Sequence, residues 1–371
     1  MKRSIFMTGA TGTVGSELLR RLATRPDTTI NLLVRRTGYD RRQQIEYGLR
    51  GIPTVAKINI HEGDLRAGDT LGLCPDTFSS LTRTTTHVIH CGGSTSFVLP
   101  LGESRAVNVE GARRVVEFTR LCDRLESAAF FSTVYVSGMR NGPFGENEEG
   151  DAGRGFVNPY EQSKAEMEQV VREAMEDLPI LLFRLSTVIG DSRTGAVRGF
   201  NAVHHAIRLL YQGLAPMVPG DASVPVDMVS SDYVADAAMY LMEARAGSGV
   251  FHLASGQQAS TIGQLLDATI DSLVRFRPVW RKRSIEKPLL VDLDTYELFV
   301  RSVEQTGNDV LRNATRSIRS FAYQLAHPKV FGTDRTTEAL ADSGIRPKPV
   351  LQFYPSVVKY CLETNWGMQP C

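Results

Sequence analysis

Short apolar runs alternate with stretches of helical spacing through the first half of the chain. Ile5-Phe6-Met7 opens as a strand, and Val14, Leu18, Leu19 and Leu22 then recur along one helix face. Ile30 to Val34, Lys57 to Ile60, Thr86 to His90, Ala128 to Val136 and Ile180 to Ile189 read as five further strands. Helical segments fall between them, around residues 105–124 and 159–177. This alternation predicts an α/β fold with a doubly wound parallel sheet covered on both faces. Beyond about residue 190 the pattern breaks up. Loop and helix mix over 191–226, residues 231–245 look helical, and Val250 to Ala254 looks like one more strand. From about 260 the chain is mostly helical. The expected division is a sheet domain over 1–190, to which 227–254 returns, and a smaller, mostly helical C-terminal domain made of 191–226 and 255–371.

The first strand runs into Thr8-Gly9-Ala10-Thr11-Gly12-Thr13-Val14-Gly15, which opens a helix. Strand, glycine turn and helix together form the context of a Rossmann-like dinucleotide site. One glycine makes the turn, one lets the backbone approach a pyrophosphate, and one allows close helix–strand packing. Helix N-terminal amides then receive the phosphates. Gly9, Thr11, Gly12, Thr13, Val14 and Gly15 are the expected cofactor cradle. The second strand ends in Val34-Arg35-Arg36-Thr37, where an NAD site would carry Asp or Glu for the ribose hydroxyls. Arg35 and Arg36 suit a 2′-phosphate instead, so NADPH is the expected cofactor. Asp64 and Leu65 follow the third strand, where the carboxylate is placed to accept from an adenine amino group. Gly92, with Gly93 and Ser94, ends the fourth strand and leaves room for a dinucleotide across the sheet.

Asn158-Pro159-Tyr160-Glu161 reads as a helix start. Asn158 is the N-cap, Pro159 the first helical residue, and Glu161 completes a capping-box-like pattern. Lys164 lies one turn after Tyr160 on the same face. A free tyrosine titrates near about 10, and a nearby ammonium favours the phenolate. The pair is therefore a proton donor suited to work beside a hydride carrier. Thr133, at the end of the fifth strand, is placed to donate to a substrate carbonyl.

These motifs, with Gly63-Asp64-Leu65, Asn108-Val109-Glu110-Gly111, Ser132-Thr133 and Tyr160-Glu161-Gln162-Ser163-Lys164, resemble an extended short-chain dehydrogenase/reductase. The resemblance implies a catalytic trio of Thr133, Tyr160 and Lys164, and a structural role for Asn108. Phe183 to Gly195, Val226-Asp227-Met228-Val229, Asp232 to Ala237 and Phe251 to Gly256 are similar to the thioester-reductase and fatty-acyl-reductase branch. That branch implies NADPH reduction of a carrier- or coenzyme-A-bound acyl thioester to an aldehyde or alcohol. No carrier domain is seen upstream, so an acyl carrier protein is expected to act in trans. A ketoreductase, or a nucleotide-sugar epimerase or dehydratase of the same fold, is the alternative.

Composition narrows the partners. Lys and Arg number 42 against 41 Asp and Glu, a balance that argues against a dedicated nucleic-acid binder. Arg275, Arg277, Arg281, Lys282 and Arg283, with Phe276 and Trp280 between them, offer either a patch for an acidic carrier or a solvated segment. The stretch Tyr296, Leu298, Phe299, Val303, Val310, Leu311, Ile318, Phe321 and Leu325 reads as core or as an acyl tunnel. Glu146, Glu148, Glu149 and Asp151 read as a solvated flap over the site. His204 and His205 read as surface or pocket lining. The five cysteines (Cys74, Cys91, Cys122, Cys361 and Cys371) are scattered, with no metal-ligand spacing. Reduced thiols, no metal and a cytoplasmic location are expected. Met1-Lys2-Arg3 leads straight into a strand, so neither a leader nor a membrane span is expected.

Overall fold

The computed structural model describes residues 2–35, 41–150, 152–244, 247–282 and 286–367. Its centre is a sheet of seven strands: β1 (Arg3–Thr8), β2 (Thr28–Val34), β3 (Lys57–Glu62), β4 (His87–His90), β5 (Ser127–Thr133), β6 (Ile180–Leu185) and β7 (Gly249–Leu253). They lie in the order β7-β6-β5-β4-β1-β2-β3, and every pairing is parallel. The doubly wound parallel sheet is therefore as expected. The winding reverses between β1 and β4, and ligands of such sheets bind outside the carboxyl ends of the strands at that point.

Side chains alternate between the two faces of a strand. Ile5 and Met7 of β1 pack toward one face, with α1 (Thr13–Ala23) and the later helix that runs from Ser231 to Glu243. Phe6 between them packs toward the other. There it joins α3 (Pro75–Thr84), α4 (Leu101–Arg120) and α5 (Pro159–Ala174), while the short α2 (Arg41–Gly48) follows β2. All seven residues of β5 are buried, as in a strand covered on both sides.

Two strands end earlier than their apolar runs. β5 stops at Thr133, and Val134–Ser137 forms a 3-10 turn. That turn is itself buried, with Val134 and Val136 both at 0% exposure, so hydrophobicity continues past the strand. β6 stops at Leu185, and Thr187–Val188 pairs instead with Met228–Val229.

α6 (Ala202–Gln212), α8 (Ile262–Phe276) and α12 (Val350–Glu363) share a separate apolar cluster, with α7 being the Ser231–Glu243 helix above. α9 (Leu293–Gln305) and α10 (Asp309–Leu325) pack beside them, and α11 (Asp334–Ala339) returns the chain to β7. Lys329–Phe331 pairs with Gly142–Phe144, which ties this region to the loop after β5. Among the described residues, no helix is long and apolar enough to cross a membrane.

Candidate active site

The start of α5 fixes the site. Asn158 caps it and accepts from the Glu161 N–H at 3.0 Å. The Glu161 carboxylate accepts from the Val157 N–H at 3.2 Å and from Asn158 Nδ2 at 2.9 Å, not from the N-cap amide. Both sides of the first turn are held, and Tyr160 with it. Lys164 is 7% exposed, and its Nζ donates to the Phe131 carbonyl of β5 at 2.6 Å. The Thr133 hydroxyl, at the end of β5, donates to the Leu185 carbonyl and accepts from the Tyr135 N–H, each at 3.3 Å.

Thr133, Tyr160 and Lys164 thus meet at the carboxyl end of β5. Burial pushes the Tyr160 phenol up, and a hydrogen bond with Thr133 opposes the rise. Burial lowers Lys164 to about 8, against the pull of Glu168 and Cys91. Asn108 braces the site: its side chain accepts from the Ser94 N–H at 2.8 Å and donates to Ser163 Oγ at 2.9 Å.

The cofactor cleft lies at the β1–β4 reversal. Gly9, Thr11, Gly12, Arg35, Asp64, Leu65 and Gly92 all line it. Gly9 has φ +75°, and a Cβ there would lie 2.4 Å from the Cys91 carbonyl carbon. A Cβ on Gly15 would lie 2.1 Å from the Gly9 carbonyl oxygen, so this glycine serves packing. Thr13 faces a neighbouring groove, and Val14 packs against the core. Neither is in the cleft lining. Gly12, the N-cap of α1, lines the cleft, so the N-terminus of the helix begins at its wall. Arg36 lies outside the described residues. Asp64 accepts from the Arg66 N–H at 2.9 Å and pairs with its guanidinium at 3.0 Å, which lowers its pKa. Burial pushes the Cys91 thiol far up, which fits a small lining residue and not a nucleophile.

A model of the NAD-binding family described as male sterility protein matches residues 7–238. The chain belongs to this family. It is an extended short-chain dehydrogenase/reductase, as its motifs imply. A glycine betaine reductase of Emericella nidulans is 28% identical over 284 residues, 70% of this chain and 21% of the relative. A linear gramicidin synthase of Brevibacillus parabrevis is 29% identical over 245 residues, 62% of this chain and 5% of the relative. The chain spans less than a quarter of the length of these curated relatives. The terminal R domain of the myxalamid PKS-NRPS biosynthetic pathway shares its fold: TM-score 0.79, 24% identity, covering 100% of this chain and 92% of that one. An enzyme of Bordetella bronchiseptica solved with NAD+ also shares it, with TM-score 0.67, 17% identity, and coverage of 97% and 98%. The matching family is a NAD-binding one, so a nicotinamide dinucleotide is the cofactor class.

Several residues differ from what the sequence suggests. The acidic loop is not a free flap. Glu146 is 6% exposed and accepts from the His252 N–H at 2.9 Å, the Arg335 N–H at 2.7 Å and the Thr336 N–H at 3.1 Å. Buried amides need an acceptor, and this carboxylate supplies it. Glu148 pairs with Arg140 at 2.6 Å, and its carbonyl accepts from Arg184 at 2.8 Å. Asp151 lies outside the described residues. Arg184 is wholly buried, paired with Glu168 at 2.7 Å, and donates to His252 Nε2 at 3.2 Å. His204 is neither surface nor cavity lining. It is 0% exposed and helps cap α6, accepting from the Asn201 N–H at 3.0 Å. In the basic segment, Trp280 is buried with its indole N–H on the Tyr211 carbonyl at 2.9 Å, and Arg277 donates to the Leu362 carbonyl. Arg283 lies outside the described residues.

Two residues were not singled out from the sequence. Arg41, at the start of α2, lines the cofactor cleft and donates to Thr11 Oγ1 at 3.1 Å. Its Nε is buried without a hydrogen-bond partner among the described residues, a polar atom that an anion in the cleft would satisfy. Asp227 is 3% exposed and accepts from the Ser255 and Gly256 N–H groups, both at 2.8 Å. Burial raises it to about 6. A lone carboxylate inside the apolar Val226-Asp227-Met228-Val229 is the signal that could have found it.

Proposed function

We propose that this protein is an NADPH-dependent reductase acting on an acyl thioester, held by coenzyme A or by an acyl carrier protein in trans, and yielding an aldehyde or alcohol. The observation that carries the reading is the convergence of Thr133, Tyr160 and Lys164 at the end of β5, next to a cleft with cations at its rim. Thioester and carrier are favoured by relatives such as the gramicidin synthase and the R domain. Residues 1–190 with 227–254 are assigned to the cofactor, and 191–226 with 255–371 to the substrate.

The residues fit the cofactor. Gly9, Gly12 and Gly92 leave room for the dinucleotide backbone. The N-terminus of α1 would receive its pyrophosphate, while Arg35 and the Nε of Arg41 would take a 2′-phosphate. When bound, NADPH supplies the hydride. The Tyr160 phenol donates a proton to the carbonyl oxygen as charge develops there. Lys164 stabilises the phenolate left behind. The 3.3 Å bonds of the Thr133 hydroxyl are long, so it turns to the oxyanion at little cost. Addition of hydride and proton gives a hemithioacetal. Its C–S bond then breaks, and aldehyde and free thiol leave.

The test is nicotinamide absorbance with NADPH or NADH, read against acyl-pantetheine and acyl-coenzyme A thioesters and matched ketones. Thioester-dependent NADPH oxidation with one free thiol per turnover is expected. Oxidation with ketones alone would replace this reading with that of a ketoreductase.

A further inference from the structure

A cavity of about 100 Å³ lies beneath the C-terminal helices, among α6, α8, α10 and the strand Met217–Pro219. We infer that it seats a small hydrocarbon group of the substrate, the end of an acyl chain or an aliphatic aminoacyl side chain. This rests on the thioester reading for the nature of the substrate.

The lining is almost wholly apolar, with Val203, Ile207, Leu265 and Ile318 among its walls. The Thr269 and Tyr354 hydroxyls in it bond each other at 3.0 Å. Tyr296 also lines it, at 1% exposure, and its hydroxyl has no hydrogen-bond partner among the described residues. Interiors are close-packed, and a void forfeits the contacts of every atom around it. A gap this size, walled by side chains long enough to fill it, is a cost that a plain core avoids.

Location supplies the second line of argument. Val226 and Met228 line the cavity and bracket Asp227. Met228 pairs with Thr187, whose hydroxyl is hydrogen-bonded to that of Tyr135 at 2.9 Å, and Tyr135 stands two residues after Thr133. Leu325 also lines it, and the preceding Gln324 donates to the carboxylate of Glu161, the neighbour of Tyr160. The cavity wall is thus one residue away from the groups that hold the catalytic helix. Size sets the ligand: an apolar cavity of about 150 Å³ takes up benzene, so this one suits roughly four to six carbons.

The experiment separates this site from the chemistry. S-alkyl pantetheine thioethers, from methyl to dodecyl, cannot be reduced, and calorimetry reads their binding directly. Affinity is expected to rise about fourfold per methylene over the segment that enters the cavity, then level off. Ala322→Leu and Ala206→Val each narrow it, since both alanines line it. Both are expected to fold with unchanged or higher Tm and to flatten the preference while leaving the methyl compound unaffected. Turnover of decanoyl- and leucyl-pantetheine in the same variants identifies the source, because KM rises only for the substrate whose group enters the cavity. A chain-length preference without any reduction would overturn the thioester reading and leave this site standing. Reduction of thioesters with no length preference, or with one that both variants preserve, would overturn the cavity assignment alone.

Discussion

The cofactor cleft and the C-terminal cavity are opposites. The cleft is built of backbone: a glycine turn, the N-terminus of α1 and two cations, Arg35 and Arg41. The cavity is built of side chains that converge from α6, α8 and α10, with hardly a polar atom facing inward. One recognises charge by fixed dipoles, the other shape by the loss of apolar surface. Tyr160 lines neither of them. Its ring lies 5.7 Å from that of Phe97, and its neighbour Glu161 is bound to the C-terminal region through Gln324. Under the proposed function the difference divides specificity: the cleft would set which electron carrier enters, and the helices which carbonyl follows it.

The largest break in this comparison is at the seam. Tyr160→Phe removes the proton donor and leaves both pockets intact. Turnover is expected to fall on the order of 1,000-fold or more. NADPH affinity, read by quenching of protein fluorescence, is expected to change little. A variant that kept near-full activity would end the assignment of Tyr160.

The next effect is confined to the cleft. Arg35→Ala and Arg41→Ala each remove a charged hydrogen-bond donor, worth about 1.5–3 kcal/mol against a phosphate. Each is expected to weaken NADPH roughly ten- to a hundredfold and to leave NADH nearly unchanged. Equal losses for both cofactors would show that the two cations act on the shared pyrophosphate or on folding. Chain-length preference is expected to survive in both variants, because nothing in the cavity touches them.

The cleft left a motif in the sequence, and the cavity left only a stretch that read as core or as an acyl tunnel. Gly9 stands where φ is positive and a Cβ would strike backbone, so only one residue type fits, and that leaves a motif. Tyr160 and Lys164 share a helix face, so their relation is local. Arg41 left no such trace, because its partner Thr11 is 30 residues away. Glu146 was misread for the same reason: the amides it satisfies lie 106 to 190 residues distant. His204 looked free because a cap on Asn201 is invisible without the turn it closes. The stretch from Tyr296 to Leu325 mixed both kinds of position. Leu298 and Val310 are more than half exposed, while Tyr296, Ile318, Phe321 and Leu325 reach the cavity. Periodicity finds a buried face, but it does not say whether that face meets another wall or a void.

The smallest expected effect tests Asp227, which sits between two cavity-lining residues and anchors the turn after β7. Its folded pKa is raised by burial from 3.8 to about 6, despite the two backbone N–H donors. A raised value means that the folded state holds the proton more tightly than the unfolded chain does. The contribution to stability is therefore full below about pH 4 and is lost as pH rises through about 6. A rise of this size sets an upper bound of about 3 kcal/mol on that loss. Asp227→Asn removes the titration. It also costs stability at every pH, because the amide nitrogen replaces one acceptor facing the Ser255 and Gly256 amides. The slope, not the offset, is the readout. Urea unfolding of both proteins between pH 4 and pH 7 is expected to show the difference between them narrowing as pH rises. A constant difference would mean that Asp227 stays ionised in the folded protein, and that its two amide donors outweigh its burial.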